Sequence, residues 1–223
     1  GDAGDHLLRV LSRRLKARLP EAATVGRLGG DEFAVLLEDV EPHYQPKVRL
    51  EDGSIIGFEA LLRWRAPDGQ LCLPGAVVEA FKDYELAAGL ACLMQDGVMA
   101  DMARWREMGL PLLPVSINAA PVEFLRDDFG TGHSSFAHLR DYPVDNVKID
   151  RSFVSRMIGE PTILAIVEAI SRLGPALSID VIAEGIETER QREILLSAEC
   201  RFGQGFLFGK AMSAADAARR LVD

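Results

Sequence analysis

From residue 57 onward the chain alternates short β-rich runs with segments of helical length. "GFEALLRW" (57–64) alternates as a strand should, and a helical stretch covers roughly Ala76 to Met108. "PVSINA" (114–119), "VDNVKID" (144–150), "SIDVIAEGIE" (178–187) and "GQGFLFG" (203–209) are further β-rich runs. A helix follows 150 through about Leu173, another starts near Thr188, and "SAADAARRLV" closes as a third. This alternation predicts βα units around a parallel sheet. Glu59, Asn118, Lys148, Glu184 and Gln204 each lie within or at the end of such a run, before the next helix. In a (β/α)8 barrel that end of the strands carries the active site. Unpaired charges elsewhere in a covered sheet would be costly. A polar loop residue after one strand is unremarkable; five in register point to a site.

The first 40 residues have another texture. Leu7, Leu8, Leu11, Leu15 and Leu19 form one helical stripe, with Asp5 where an N-cap belongs. "TVGRLGGDEFAVLL" then predicts a β-hairpin. A helix and a hairpin are too little to bury a core alone.

The 223 residues, 48% hydrophobic and 26% charged, are ordinary for a globular chain. No apolar run nears the roughly 18 residues of a membrane span, and the N-terminus lacks a signal-peptide pattern. The expectation is a cytoplasmic protein, with room for a membrane tether in a longer parent. The net charge of −9 argues against a nucleic acid polymer as partner, since phosphate backbones are bound by clustered Lys and Arg. It leaves open a small phosphate ligand held through metal ions. Cys72, Cys92 and Cys200 have no metal-site spacing and read as buried or idle thiols.

Asp127 and Asp128 are adjacent, ahead of a glycine-rich turn. Neighbouring carboxylates raise each other's pKa unless a cation lies between them. With Glu59 and Asn118 from other strands they make an oxygen-rich set suited to Mg²⁺ or Mn²⁺ rather than zinc. Two ions bridged by Asp127, the second held by Asp128, would suit hydrolysis of a phosphodiester. Lys148 would orient the water or offset charge, and Glu184 would be base or ligand. The plain alternative for "DDFGTG" is an acidic turn.

"FEALLRW", "SIN", "DDFGTGHSS", "VKIDRSFV", "VIAEGIET" and "GQGFLFG" occur in order, and together they resemble the EAL domain family of cyclic di-GMP phosphodiesterases. The likeness runs from about His43 to the C-terminus. Upstream, "GDHLL" and "RLGGDEFAVLL" resemble part of a GGDEF domain, the diguanylate cyclase family. The resemblance implies a partial α+β GGDEF domain (1–40) followed by an α/β, TIM-like (β/α)8 EAL domain (41–223), both incomplete. It implies two Mg²⁺ or Mn²⁺ ions per EAL site. Glu59, Asn118 and Asp127 would ligate one; Asp127, Asp128 and Glu184 would serve the second. Lys148 would hold the attacking water, with Lys148, Glu184 and Glu59 as the catalytic group. Arg63 would contact a phosphate, Gln45 and Gln204 would seat the dinucleotide, and Asp150 and Glu187 would support the site. The implied product is linear pGpG, and the implied assembly is a homodimer through the EAL domain. Asp5, Asp31 and Glu32 match nucleotide and metal positions of the cyclase family, with GTP as the implied ligand. Pro20 and Ala23 stand where an inhibitory RxxD often lies. Besides hydrolysis, the resemblance leaves a silent cyclic di-GMP receptor and net cyclase output as alternatives.

Two departures stand out. A strand with another metal-binding glutamate should precede "DDFG", and nothing like it lies between Asn118 and Asp127. The 183 residues from 41 to 223 fall short of the about 250 of a typical barrel. The pattern predicts missing stretches near Val40/Glu41 and Arg126/Asp127. Unbroken chain at those points would instead mean a shortened protein.

Overall fold

The structure, a computed structural model, describes residues 24–29, 32–36, 40–65, 70–72, 84–118 and 146–222 (backbone alone for 24–29, 32–36 and 84–90). The N-terminal leucine stripe, Asp5, Asp31, Asp127, Asp128 and the DDFG turn lie outside these residues. The chain divides into two compact units.

The larger unit comprises 44–59, 109–116 and 128–223. It holds most of β3 (Val40–Arg49), the start of β4 (Ile55–Arg65), β6 (Val115–Ile117), β7 (Asn146–Ile149), β8 (Asp180–Ala183) and β9 (Phe202–Gly203). β7 and β8 pair in parallel, as do β8 and β9. β3 runs antiparallel to β9, with Val48 opposite Gly203. The sheet is therefore mixed, not the parallel sheet expected. β3 was not anticipated; it carries Pro42 and Pro46, which argue locally against a strand. Both fit a strand whose hydrogen bonds are sparse, such as the single bridge of Tyr44 to Met212.

Among the described residues this unit also holds four helices: α2 (Arg151–Arg156), α3 (Pro161–Leu177), α4 (Glu189–Ser197) and α5 (Ala214–Arg220). Where one helix was expected after residue 150 there are two, because Pro161 opens a new one at a position that needs no N–H donor. Asp150 caps α2 through the Ser152 N–H. Thr188 and Gln191 form a reciprocal capping box on α4. "GQGFLFG" contributes only Phe202–Gly203 as strand; the rest turns. Val48, Leu50, Ile149, Val154, Met157, Val167, Val181, Ile186 and Leu195 pack between sheet and helices. Burying each such side chain contributes about 1.5–3 kcal/mol.

The smaller unit contains the hairpin of β1 (Thr24–Gly29) and β2 (Glu32–Leu36), antiparallel as expected. It also holds the end of β4 paired with β5 (Leu71–Cys72), and the long helix α1 (Tyr84–Glu107). Trp64 and Trp105 are buried here, as core residues rather than exposed stacking platforms. Glu41 binds Arg65 at 2.7 Å and His43 at 3.0 Å.

The Val40/Glu41 junction lies at the start of strand β3. Arg126/Asp127 lies outside the described residues. Among the described residues no helix is long and apolar enough to cross a membrane.

Candidate functional site

Parallel pairing aligns the polar residues. Lys148 on β7 lies opposite Ile182 on β8, and Ile182 opposite Phe202 on β9. Side chains alternate along a strand, so Glu184 and Gln204, two residues beyond Ile182 and Phe202, fall on the Lys148 face. Backbone bonds extend the ladder past the strand ends: Glu184 N–H donates to the Ile149 carbonyl at 2.9 Å, and Gln204 N–H to the Ala183 carbonyl at 2.8 Å. Two glycines allow the loops to close up. Gly185 adopts φ +71, and a Cβ there would strike the Arg151 side chain. A Cβ on Gly205 would sit 2.1 Å from the Ile186 carbonyl oxygen.

Glu59 on β4, 4% exposed, is the centre of the cluster. Its Oε1 accepts from Lys148 Nζ at 2.7 Å, and its Oε2 accepts from Gln204 Nε2. Lys148 Nζ also lies 2.9 Å from Glu184 Oε1. One ammonium thus bridges two carboxylates from different strands. Burial pushes the Glu59 carboxyl up, but the hydrogen bonds from Lys148 and Gln204, with the Lys148 and Lys47 charges, outweigh it and hold it below the usual range. Burial pulls the Lys148 ammonium down, yet its bonds to Glu59 and Glu184 leave it raised. The Gln204 Oε1 is buried without a partner among the described residues.

Sequence reasoning missed Lys47. It is 8% exposed on β3, and its Nζ donates to Ser116 Oγ on β6 at 2.7 Å. Its only signal was parity with Gln45 on a strand not foreseen.

The other expected residues fare differently. Gln45 donates to the Gly209 carbonyl at 3.2 Å. Asp150 serves as a helix cap, and Glu187 pairs with Arg151 at 3.0 Å at the surface. Arg63 donates to the Leu62 carbonyl, and burial lowers its pKa. Asn118, exposed just after β6, and Arg63 belong to the smaller unit. Glu32 starts β2. The structure therefore brings together Glu59, Lys148, Glu184 and Gln204 from the expected set.

Among the described residues no three His, Cys, Asp or Glu side chains converge as a metal site. The donor chemistry nevertheless fits a hard divalent cation. Two carboxylates close on a single cation position, which an ammonium fills, and the orphaned Gln204 oxygen adds a buried acceptor. Lys148 is about a third exposed at that position.

The sequence profile of the EAL domain family matches residues 33–127 and 122–211. The chain belongs to the EAL domain family. The profile described as diguanylate cyclase, GGDEF domain, matches residues 1–51. MucR of Pseudomonas aeruginosa, a bifunctional diguanylate cyclase/cyclic di-GMP phosphodiesterase, is 29% identical over 225 residues, covering 77% of this chain and 33% of MucR. Rv1354c of Mycobacterium tuberculosis is 28% identical over 303 residues, covering 99% of this chain and 48% of the relative. The chain thus spans a third to a half of these relatives. Among solved structures, the P. aeruginosa MucR phosphodiesterase in complex with c-di-GMP matches with a TM-score of 0.72 at 29% identity, over 80% of this chain and 94% of that one. The likeness supports an α/β EAL domain. The alignment to Rv1354c is about 80 positions longer than this 223-residue EAL chain, so the relative carries segments with no counterpart here. The EAL match itself falls into two pieces that overlap at 122–127.

Proposed function

We propose that this chain is a cyclic di-GMP phosphodiesterase, dependent on Mg²⁺ or Mn²⁺, that opens the ring to linear pGpG. The observation that carries the reading is the convergence of Glu59 and Glu184 on one cation position at the strand ends of an EAL-family chain. Glu59, Glu184, Asn118, Asp127 and Asp128 would hold two ions. Such ions, when bound, polarise the phosphoryl group and lower the pKa of water. Gln204 keeps the Glu59 carboxylate oriented through Oε2. Lys148 leaves its carboxylate partners to hold the water and offset charge on the phosphate oxygens. Glu184 accepts the water's proton as the water adds to phosphorus; the P–O3′ bond breaks and the departing O3′ takes up a proton. Arg63 grips the second phosphate, while Gln45, Asp150 and Glu187 shape or support the dinucleotide's seat. Residues 1–40 would be a partial GGDEF segment binding GTP through Asp5, Asp31 and Glu32, and 41–223 an EAL domain with a segment missing near 126/127 that pairs into a homodimer.

The length shortfall favours one competing reading. The absent stretch would carry a further metal-binding glutamate, and a protein without it would bind cyclic di-GMP silently. Purified protein incubated with cyclic di-GMP and Mn²⁺ should release pGpG, and Glu59→Ala should lower turnover at least about 10³-fold, a loss of about 4 kcal/mol. Binding without pGpG release would leave only the receptor, and an active Glu59→Ala protein would overturn the role given to Glu59.

A further inference from the structure

Gln191 makes more bonds than its place at the start of α4 requires. A capping box asks the third residue of a helix to accept one amide, that of the cap residue. Gln191 Oε1 accepts two in succession, from Thr188 N–H at 3.0 Å and from Glu187 N–H at 2.8 Å. The residue is 8% exposed, so these bonds are shielded from water. Its Nε2 reaches across to the Val154 carbonyl of α2 at 3.5 Å, the longest of its contacts.

The two amides belong to the loop that carries Glu184. The front of this loop is tied to its neighbours: Glu184 N–H donates to the Ile149 carbonyl at 2.9 Å, and Ile186 N–H to the Gln204 carbonyl at 3.2 Å. Between them Gly185 adopts φ +71, where glycine imposes little restraint of its own. The direction of the chain on either side of Gly185 therefore depends on ties at both ends of the loop. At the rear, Gln191 Oε1 supplies that tie. The Glu184 carboxylate then meets Lys148 Nζ at 2.9 Å, and α2, which Gln191 also touches, opens just after Lys148. One carboxamide thus spans the segments that bring Glu184 and Lys148 together.

We propose that Gln191 is a positioning residue: by accepting the Glu187 and Thr188 amides it fixes the loop after β8, and with it the place of the Glu184 carboxylate as cation ligand and proton acceptor. This rests on the metal-dependent phosphodiesterase reading of the site. Groups behind a metal-binding side chain set its orientation, and losing one typically costs about 10–100-fold in metal affinity or activity.

The test compares the full chain with its Gln191→Met and Gln191→Glu variants. Met keeps the length of the side chain and loses both acceptor bonds. Glu keeps an acceptor for both amides and gives up only the contact to Val154. Thermal midpoints are measured first, and the assays run well below them. Gln191→Met should lower kcat for pGpG release about tenfold at saturating Mn²⁺, with KM for cyclic di-GMP within about twofold. It should also weaken Mn²⁺ binding without nucleotide about tenfold, read by electron paramagnetic resonance of free Mn²⁺. Gln191→Glu should recover most of either loss. If Gln191→Met does not fold, Gln191→Asn, too short to hold both amides, takes its place. A lowered midpoint with kcat and Mn²⁺ affinity at wild-type values makes Gln191 a helix cap alone and overturns the proposal. A change confined to KM, or a loss that Gln191→Glu leaves in place, overturns it too. If wild type binds Mn²⁺ but releases no pGpG, the phosphodiesterase reading fails, and a Mn²⁺ affinity lost in Gln191→Met and regained in Gln191→Glu still upholds the role of Gln191. A wild type that neither binds Mn²⁺ nor releases pGpG removes both.

Discussion

The strand ends and the helical surface of the larger unit use charge in opposite ways. At the strand ends Glu59 reaches a partner 89 positions away in Lys148 and another 145 positions away in Gln204, and its carboxylate is buried. At the surface there are exposed local pairs: Arg156 with Glu160 across the turn between α2 and α3, and Arg190 with Glu193 and Arg219 with Asp216 at i,i+3 within helices. These pairs need only neighbouring segments of chain and are screened by water. The strand-end cluster exists only once four strands are in register, and each member satisfies another member's buried charge. Loss of one member should therefore cost much there and little on the helices.

The largest expected effect is that of Lys148→Met, which strips the buried Glu59 carboxylate of its ammonium. It should lower stability in metal-free buffer by about 2–4 kcal/mol, read from urea denaturation, the partial exposure of Lys148 keeping it below a fully buried pair. A midpoint shift as small as that of a helix-surface variant would erase the contrast drawn above.

Acid should act next, on the same cluster. Glu59 titrates below the ordinary 4.5. The folded state therefore binds that proton more weakly than the unfolded one, and the stability from Glu59 is present above pH 4.5 and lost as pH falls through the folded value. Lys148 lies above the ordinary 10.5, so its contribution is present below 10.5 and lost as pH rises through its folded value. Lys47 is lowered and opposes Lys148 at the alkaline end. The acid limb is thus the cleaner measurement. In Lys148→Met it should be shallower than in wild type, and parallel limbs would show that the pair is not what titrates.

The smallest effect belongs to the surface. Arg156→Ala breaks a bidentate pair with Glu160, both groups lying in solvent. No measurable change in denaturation midpoint is expected, and moderate salt should not alter wild type through this pair. A clear loss would mean that helix-surface pairs also hold the fold.

Much of this was legible beforehand. The βα alternation after residue 143, the helix start near Thr188 and the hairpin at residues 24–36 all depend on local chemistry, and they appear as read. β3 was not legible, because its two prolines argue locally against a strand and its partner β9 lies some 150 residues away. The extent of "GQGFLFG" was misread for a related reason. Leu207 and Phe208 alternate like strand residues, yet Gly205 lies against the Ile186 backbone and turns the chain after two strand residues.

The sequence by itself determined which residues are polar at strand ends, where three of the helices begin and which family the motifs belong to, since each is written in short windows. Tertiary structure alone decided that Lys148 bridges Glu59 and Glu184, that Gln204 fixes the far oxygen of Glu59 and that Lys47 is sealed beside them. Those facts depend on strand register, where a shift of one residue would turn every one of these side chains to the other face of the sheet.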